Sequence, residues 1–259
     1  MQLIDRYAYS NCLRSTNPAY KVGLAVVVLL LCLVLNEPLV GIVAAGWMYA
    51  LAVGLAGLSP RIFGRVLLAE GTFLVLATIG VVISLSLTDP SAISTWTWRI
   101  GPIWVSSSPD ALYLGASLVT RALGAASALN FLALTTPLVD MLELFRRWRV
   151  PVILVDIMVV IYRFIFVLLD SLNRMYMAQD SRLGYNTSYF RAMNSAALLG
   201  SRLFIDAFQR SRRLQIALDS RGYDGGDLRV LPSTYQSDRK IVWAGIAVVI
   251  SMVVVWIIV

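Results

Sequence analysis

A short pattern of polar and charged residues occurs twice in the C-terminal half of the sequence. Residues 178–185 read Ala-Gln-Asp-Ser-Arg-Leu-Gly-Tyr, and residues 217–223 read Ala-Leu-Asp-Ser-Arg-Gly-Tyr. Each copy is predicted at the C-terminal end of a helix, where its glycine can take the left-handed cap conformation. Arg182 and Arg221 are therefore expected at exposed helix tips, from which a guanidinium can form paired bonds to carboxylates or carbonyls that lysine cannot reproduce.

The pattern has two explanations. Arginine near a helix C-terminus is favoured by the helix dipole and glycine is the usual cap, so one copy alone would be explained as capping. Two matched copies on successive helices favour a contact with two similar partners, or with two copies of one partner. The two copies include the candidate residues Ala178, Asp180, Ser181, Arg182, Leu183, Ala217, Asp219, Ser220, Arg221 and Gly222.

Residues that commonly carry catalysis or hold metals are scarce. The chain has no histidine, and its two cysteines, Cys12 and Cys32, have no CxxC partner. This composition excludes Ser-His and Cys-His nucleophile pairs, imidazole metal cages and the HExxH zinc site. We therefore expect no catalytic site, no metal site and no cofactor bound by this chain.

Composition places these residues in a membrane protein. Of the 259 residues, 58% are hydrophobic and 14% are charged, whereas a soluble domain has about 25% charged residues. The net charge of +7 is typical of the Lys and Arg excess in cytoplasmic loops. The expected environment is the lipid bilayer, and nucleic acid is not an expected partner.

Apolar segments predict an all-α integral membrane protein with five transmembrane helices and a helical domain outside the membrane. A span needs roughly 17–25 apolar residues. A membrane domain over 1–136 and a second domain over 137–240 are predicted, with the final helix at the C-terminus. The expected spans are 21–35, 39–58, 66–87, 112–136 and 241–259.

The distribution of basic residues predicts the orientation. Residues 137–240 hold fifteen Lys or Arg, against one, Arg99, in the 88–111 loop. By the positive-inside rule, the N-terminus and 137–240 are cytoplasmic and 88–111 is outside, in a prokaryotic plasma or inner membrane. A span over the apolar segment 151–169 would place much of that charge outside, so 151–182 is predicted as one amphipathic helix at or below the inner surface.

Charged residues near apolar segments are further candidates. Arg121 is predicted near mid-bilayer, where its cost makes it a functional candidate that faces a substrate-binding partner. Glu70 is predicted to extend to the inner interface. Asp156, Arg163 and Asp170 recur every seven residues, and a stripe that faces headgroups or solvent is favoured over a buried network.

The duplicated motif resembles the paired X-Arg-X coupling motif of the T component of energy-coupling-factor (ECF) transporters. Three further passages resemble its cobalt-transport CbiQ type: IDRYAYSNCLRSTNPAYK at the start, RALGAASALNFLALTTP over 121–137, and LFRRWRVP over 144–151. The resemblance covers most of the chain. Both copies depart from the Ala-Arg-Gly wording frequent in that family, since serine precedes each arginine and Leu183 follows the first.

This resemblance implies a non-catalytic coupling subunit. Its two motif-bearing helices would dock into grooves on two ABC-type ATPase subunits, which bind the ATP, and would pass their motion to a membrane-embedded substrate-capture subunit. Residues 137–240 would then be a cytoplasmic helical coupling domain. The implied docking residues are Arg182 and Arg221, flanked by Ser181, Leu183, Ser220 and Gly222, and the implied substrate is cobalt, with nickel or a vitamin as alternatives. The permease of an ordinary ABC importer and an intramembrane enzyme are rival interpretations. The sequence around Gly200 lacks the EAA-type coupling loop of such a permease, and the predicted spans lack the paired carboxylates that an intramembrane enzyme would need.

Overall fold

The computed structural model describes residues 7–86, 96–100, 103–182, 188–225, 235 and 239–258. Most described residues are helical, and the predicted all-α membrane class is confirmed. Residues 7–10 are helical, and the helices with both ends described are α1 Pro18–Val34, α2 Pro38–Gly54, α3 Pro60–Val82, α4 Pro109–Thr135, α5 Leu138–Arg147, α6 Val152–Asp180, α7 Tyr189–Asp219 and α8 Arg239–Ile258.

Proline sets the start of α1, α2, α3 and α4, because its fixed φ suits the first helical turn and its missing N–H has no partner there. Side-chain caps add to this at two helices. Asn17 accepts from the Ala19 N–H at 3.0 Å, and Ser108 accepts from the Ala111 N–H at 3.2 Å. These four helices therefore begin before the apolar segments that the sequence predicts as spans, because their first turns include the proline and the residues next to it.

Three short strands lie between α3 and α4 and are an addition to the predicted helices. They are β1 Ser84–Ser86, β2 Trp96–Ile100 and β3 Ile103–Ser107, in the antiparallel order β1-β3-β2. Ser106 pairs with Ser84 on one side and with Thr97 on the other. The strands fall in the segment that the sequence predicts as the outer loop.

The chain divides into two compact units, Met1–Met141 with Ser233–Val259, and Leu142–Pro232. In the first unit α4 packs against α1, α2 and α3, and α8 packs against α1 and α2. The shared core includes Val28, Met48, Phe131, Val248 and Met252. In the second unit α6 and α7 pack against each other.

Four described helices have the length and apolar composition to cross a membrane: α3, α4, α6, and α8 from Lys240 onward. The helices α1 and α2 are apolar but shorter, with 17 residues each. By composition alone α6 thus qualifies as a span, whereas the charge distribution favours a helix at the inner surface.

Candidate functional site at two helix ends

The first copy of the motif closes α6. The Ser181 N–H donates to the Met177 carbonyl at 3.0 Å, and the Arg182 N–H donates to the Gln179 carbonyl at 3.1 Å. The Ser181 hydroxyl donates to the Ala178 carbonyl at 3.1 Å. These bonds satisfy carbonyls that lack partners at the end of a helix. Arg182 follows directly and is exposed.

The second copy closes α7 with similar bonds, although its serine hydroxyl bonds four residues back and not three, and with a complete glycine cap. The Ser220 hydroxyl donates to the Ile216 carbonyl at 2.7 Å. Gly222 has φ +70°, its N–H donates to the Asp219 carbonyl at 3.0 Å, and the Tyr223 N–H donates to the Leu218 carbonyl at 3.0 Å. This is the Schellman arrangement, and it confirms the predicted left-handed cap at Gly222. Leu183 and Gly184 of the first copy lie outside the described residues.

The two arginines are presented without local partners. Arg182 and Arg221 are exposed, as are Asp180 and Asp219. Within the described residues neither guanidinium makes a side-chain hydrogen bond or an ion pair, whereas Asp219 accepts from Gln215 at 2.9 Å. Capping of these helices is accomplished by the serines and the glycine, so both guanidinium groups remain available to another molecule.

The two copies of the motif lie 39 residues apart, and two further pairs of arginines have the same spacing: Arg163 with Arg202, and Arg174 with Arg213. Comparing the sequence with itself at that spacing would have found these pairs. Helices α6 and α7 therefore end in the same motif and carry arginines at two further matching positions.

The two helices contact each other at matching positions. The Arg210 Nη2 donates to the Ser171 Oγ at 2.7 Å, and these residues are also 39 apart. Residues 160–167 of α6 and residues 210–214 of α7 line one groove beside this contact.

The two tips lie equally far along their helices from this contact. Asp180 and Asp219 each lie nine residues beyond it, or about 14 Å along each helix. Two equivalent guanidinium groups of this kind suit two similar surfaces.

Many large apolar side chains of the second unit are exposed. Exposed apolar surface of this kind marks contact with a membrane or another protein. Strongly exposed members include Ile153, Ile157, Ile161 and Met177 on α6, and Tyr189, Phe190, Met193, Phe204, Phe208 and Ile216 on α7.

Other charged candidates have specific partners. The Arg121 Nη1 donates to the Asn36 Oδ1 in the α1–α2 turn at 2.8 Å, so its guanidinium reaches this turn from its position on α4. Close by, the Tyr113 hydroxyl donates to Glu37 at 3.1 Å. Glu70 accepts from the Asn130 Nδ2 at 2.7 Å, which joins α3 to α4 and gives this carboxylate a partner on the neighbouring helix.

The charged stripe on α6 differs from the expectation. Asp156 is buried and accepts from Arg146 at 2.6 Å, which joins the end of α5 to the start of α6 across Pro151. Asp170 pairs with Arg174 on the same helix. A stripe that faces headgroups or solvent throughout is therefore wrong for Asp156, since the turn at Val150-Pro151 brings Arg146 over it.

Among the described residues, His, Cys, Asp and Glu form no group of three that could hold a metal ion.

Residues 10–231 match the protein family described as "CbiQ: Cobalt transport protein". An uncharacterized protein of Methanocaldococcus jannaschii is 33% identical over 86% of this chain and 81% of its own length. The cobalt transport protein CbiQ of Rhodobacter capsulatus is 41% identical over 51% of this chain and 54% of its own length. The energy-coupling factor transporter transmembrane protein EcfT of Acidaminococcus fermentans is 26% identical over 86% of this chain and 83% of its own length.

Proposed function

Because the chain belongs to the CbiQ family of cobalt transport proteins and is a multi-pass membrane component of an ECF-type transporter, we propose that it couples two ABC-type ATPase subunits to a substrate-capture subunit. The chain itself is non-catalytic, and its partners bind ATP. Cobalt is the proposed substrate; nickel or a vitamin would use the same coupling. The N-terminus and the second unit face the cytoplasm.

The observation that carries this proposal is the pair of exposed arginines, Arg182 and Arg221, that follow matching helix ends. Two similar ATPase subunits form a pair with its own two-fold relation. A chain that contacts both subunits at one common groove needs one tip for each, at symmetric positions. Arg182 and Arg221 meet this requirement, because each stands at the same distance from the crossing of α6 and α7.

The remaining motif residues support each tip. Ser181 and Ser220 hold the last helical turn through their hydroxyls, so the following arginine leaves the helix at a defined point. Small residues at Ala178 and Ala217 leave room for the groove walls, and Asp180 and Asp219 offer acceptors beside each arginine. Leu183 and Gly222 are the proposed neighbours that enter the groove with the arginines.

A permease of an ordinary ABC importer is the second candidate. It would line the substrate path itself and contact each ATPase through a single coupling loop, so it has no use for two equivalent tips on one chain. The duplicated arginine tips favour the coupling subunit.

The test replaces each tip arginine by alanine and measures ATPase capture. A charge-assisted bond contributes about 1.5–3 kcal/mol, so each single change should weaken docking roughly ten- to a hundredfold. Two tips on one rigid body act with high effective concentration, so Arg182→Ala and Arg221→Ala should each retain a partial complex. The double variant should release both ATPases and abolish transport.

Arg191→Ala with Arg202→Ala is the matched control, because both arginines are exposed on α7 and lie outside the two motif copies. It removes the same charge and should keep ATPase binding. A double tip variant that captures both ATPases at the wild-type level would show that these arginines serve the helix ends alone.

A further inference from the structure

A groove of about 360 Å³ lies between α6 and α7, on the side of their crossing toward the start of α6. Its volume is within the range of small-molecule sites, about 300–1,000 Å³. Three arginines, Arg163, Arg210 and Arg213, line it together with apolar side chains, among them Phe164, Val167 and Leu214. The groove thus combines cationic groups with an apolar wall.

The cationic groups exceed the anionic groups near the groove. Arg210 has a carboxylate partner, since its Nε donates to Asp206 at 3.0 Å, and this bond lowers the pKa of the Asp206 carboxyl. Arg163 and Arg213 have no carboxylate within ion-pair distance in the described part of the chain. Arg213 does donate its Nε to the Gln209 carbonyl at 3.4 Å, which leaves its terminal N–H groups unused.

The apolar wall continues into a surface suited to lipid. Helix α6 has the composition of a membrane helix, and Ile157 and Ile161 are exposed on the turns before Arg163. A ligand with a charged head could therefore place its head in the groove while its hydrocarbon part lies along α6. A small soluble anion would leave the apolar wall in contact with water.

We propose that this groove binds an anionic phospholipid. Arg163 and Arg213 hold the phosphate through charge-assisted hydrogen bonds, and Phe164, Val167 and Leu214 contact the first methylenes of an acyl chain. Arg210 remains paired with Asp206 and Ser171 and fixes the helix crossing that forms the groove. The site does not depend on ATPase docking, because neither tip arginine lines it.

The test uses the full-length protein, delipidated in a neutral detergent and titrated with phosphatidylglycerol or phosphatidylcholine under native mass spectrometry. We expect one phosphatidylglycerol to bind at least tenfold more tightly than phosphatidylcholine. The variant Arg163→Gln with Arg213→Gln should lose about tenfold in phosphatidylglycerol affinity and should bind phosphatidylcholine as before. Arg210 is left intact so that the helix crossing is preserved.

Arg191→Gln with Arg202→Gln is the matched control, with the same change in charge at exposed positions outside the groove. Equal loss in this control would show general attraction by net charge and would overturn the proposal. Displacement of the lipid by equimolar inorganic phosphate would identify a free-anion site instead. A wild-type protein that does not prefer phosphatidylglycerol would also overturn the proposal. The groove would then be assigned to an acidic segment of a partner protein.

Discussion

The side chain of Lys21, on the apolar helix α1, is fully buried and reaches the C-terminal end of α4. Its Nζ donates to the Thr135 carbonyl at 3.1 Å, and the Asn11 Nδ2 donates to the same carbonyl at 3.1 Å and to the Leu134 carbonyl at 3.3 Å. The last carbonyls of a helix lack internal partners and carry partial negative charge, so a cation and an amide there stabilise the end of α4.

We expect the double variant Lys21→Met with Asn11→Leu to lose more stability than the sum of the losses in the two single variants. Each single change leaves the Thr135 carbonyl one of its two donors, whereas the double change leaves a buried carbonyl with neither, at about 1–3 kcal/mol. Thermal unfolding midpoints of the full-length protein in detergent measure this coupling. Tyr20→Phe, at a half-exposed neighbour, should have little effect, and strictly additive shifts would contradict a shared carbonyl.

Arg121 is the proposed contact with the substrate-capture subunit. Its guanidinium joins α4 to the α1–α2 turn through Asn36, so Arg121→Ala removes a charged group at this turn and leaves the second unit unchanged. Co-purification should show weaker association with the substrate-capture subunit and undiminished ATPase binding. Asn36→Ala is the control, since it removes the hydrogen bond between Arg121 and Asn36 and keeps the charge of Arg121. Equal loss of both partners in Arg121→Ala would indicate misfolding.

At the scale of helices, glycines determine how closely α2 and α4 approach. A Cβ at Gly41 would lie under 3 Å from the Thr120 carbonyl, and a Cβ at Gly124 would lie 2.8 Å from the Gly41 carbonyl. Small residues at such crossings let helix backbones pack directly, which is a main source of association inside a bilayer. The central position of α4 depends on this contact.

Gly41→Ala should therefore push α2 away from α4 and lower the free energy of unfolding by about 1–3 kcal/mol, as overpacking does in a core. Gly46→Ala on the same helix is the matched control, because a Cβ there meets nothing within 4 Å. Detergent-solubilised yield and unfolding temperature measure both variants. Similar behaviour of the two would contradict a close helix contact at Gly41.

At the scale of the whole molecule, the proposed function requires the second unit to face the cytosolic ATPases. Fifteen of the twenty-two basic residues lie in 137–240, so the positive-inside rule predicts that this segment is inside. In that orientation Arg182 and Arg221 would lie on the side of the membrane where ATP is available.

A cysteine-labelling experiment tests this orientation. In a background without Cys12 and Cys32, Asp110→Cys at the exposed start of α4 should react with an impermeant maleimide on intact cells. Ser211→Cys on the exposed surface of α7 should react only after permeabilisation. Labelling of Ser211→Cys in intact cells would place the second unit outside and exclude ATPase docking.

The sequence alone determined the membrane class, the duplicated tips and the glycine cap at Gly222, because apolar run length, capping and repetition are local properties of the chain. Three features required the tertiary structure: the carbonyl shared by Lys21 and Asn11, the burial of Asp156 under Arg146, and the crossing of α6 and α7 at Ser171 and Arg210. Each depends on how helices are packed, and hydropathy or spacing does not specify which side chains meet across two helices. A charge on an apolar helix has the same sequence signature whether it faces lipid or a helix end, and only packing decides between them.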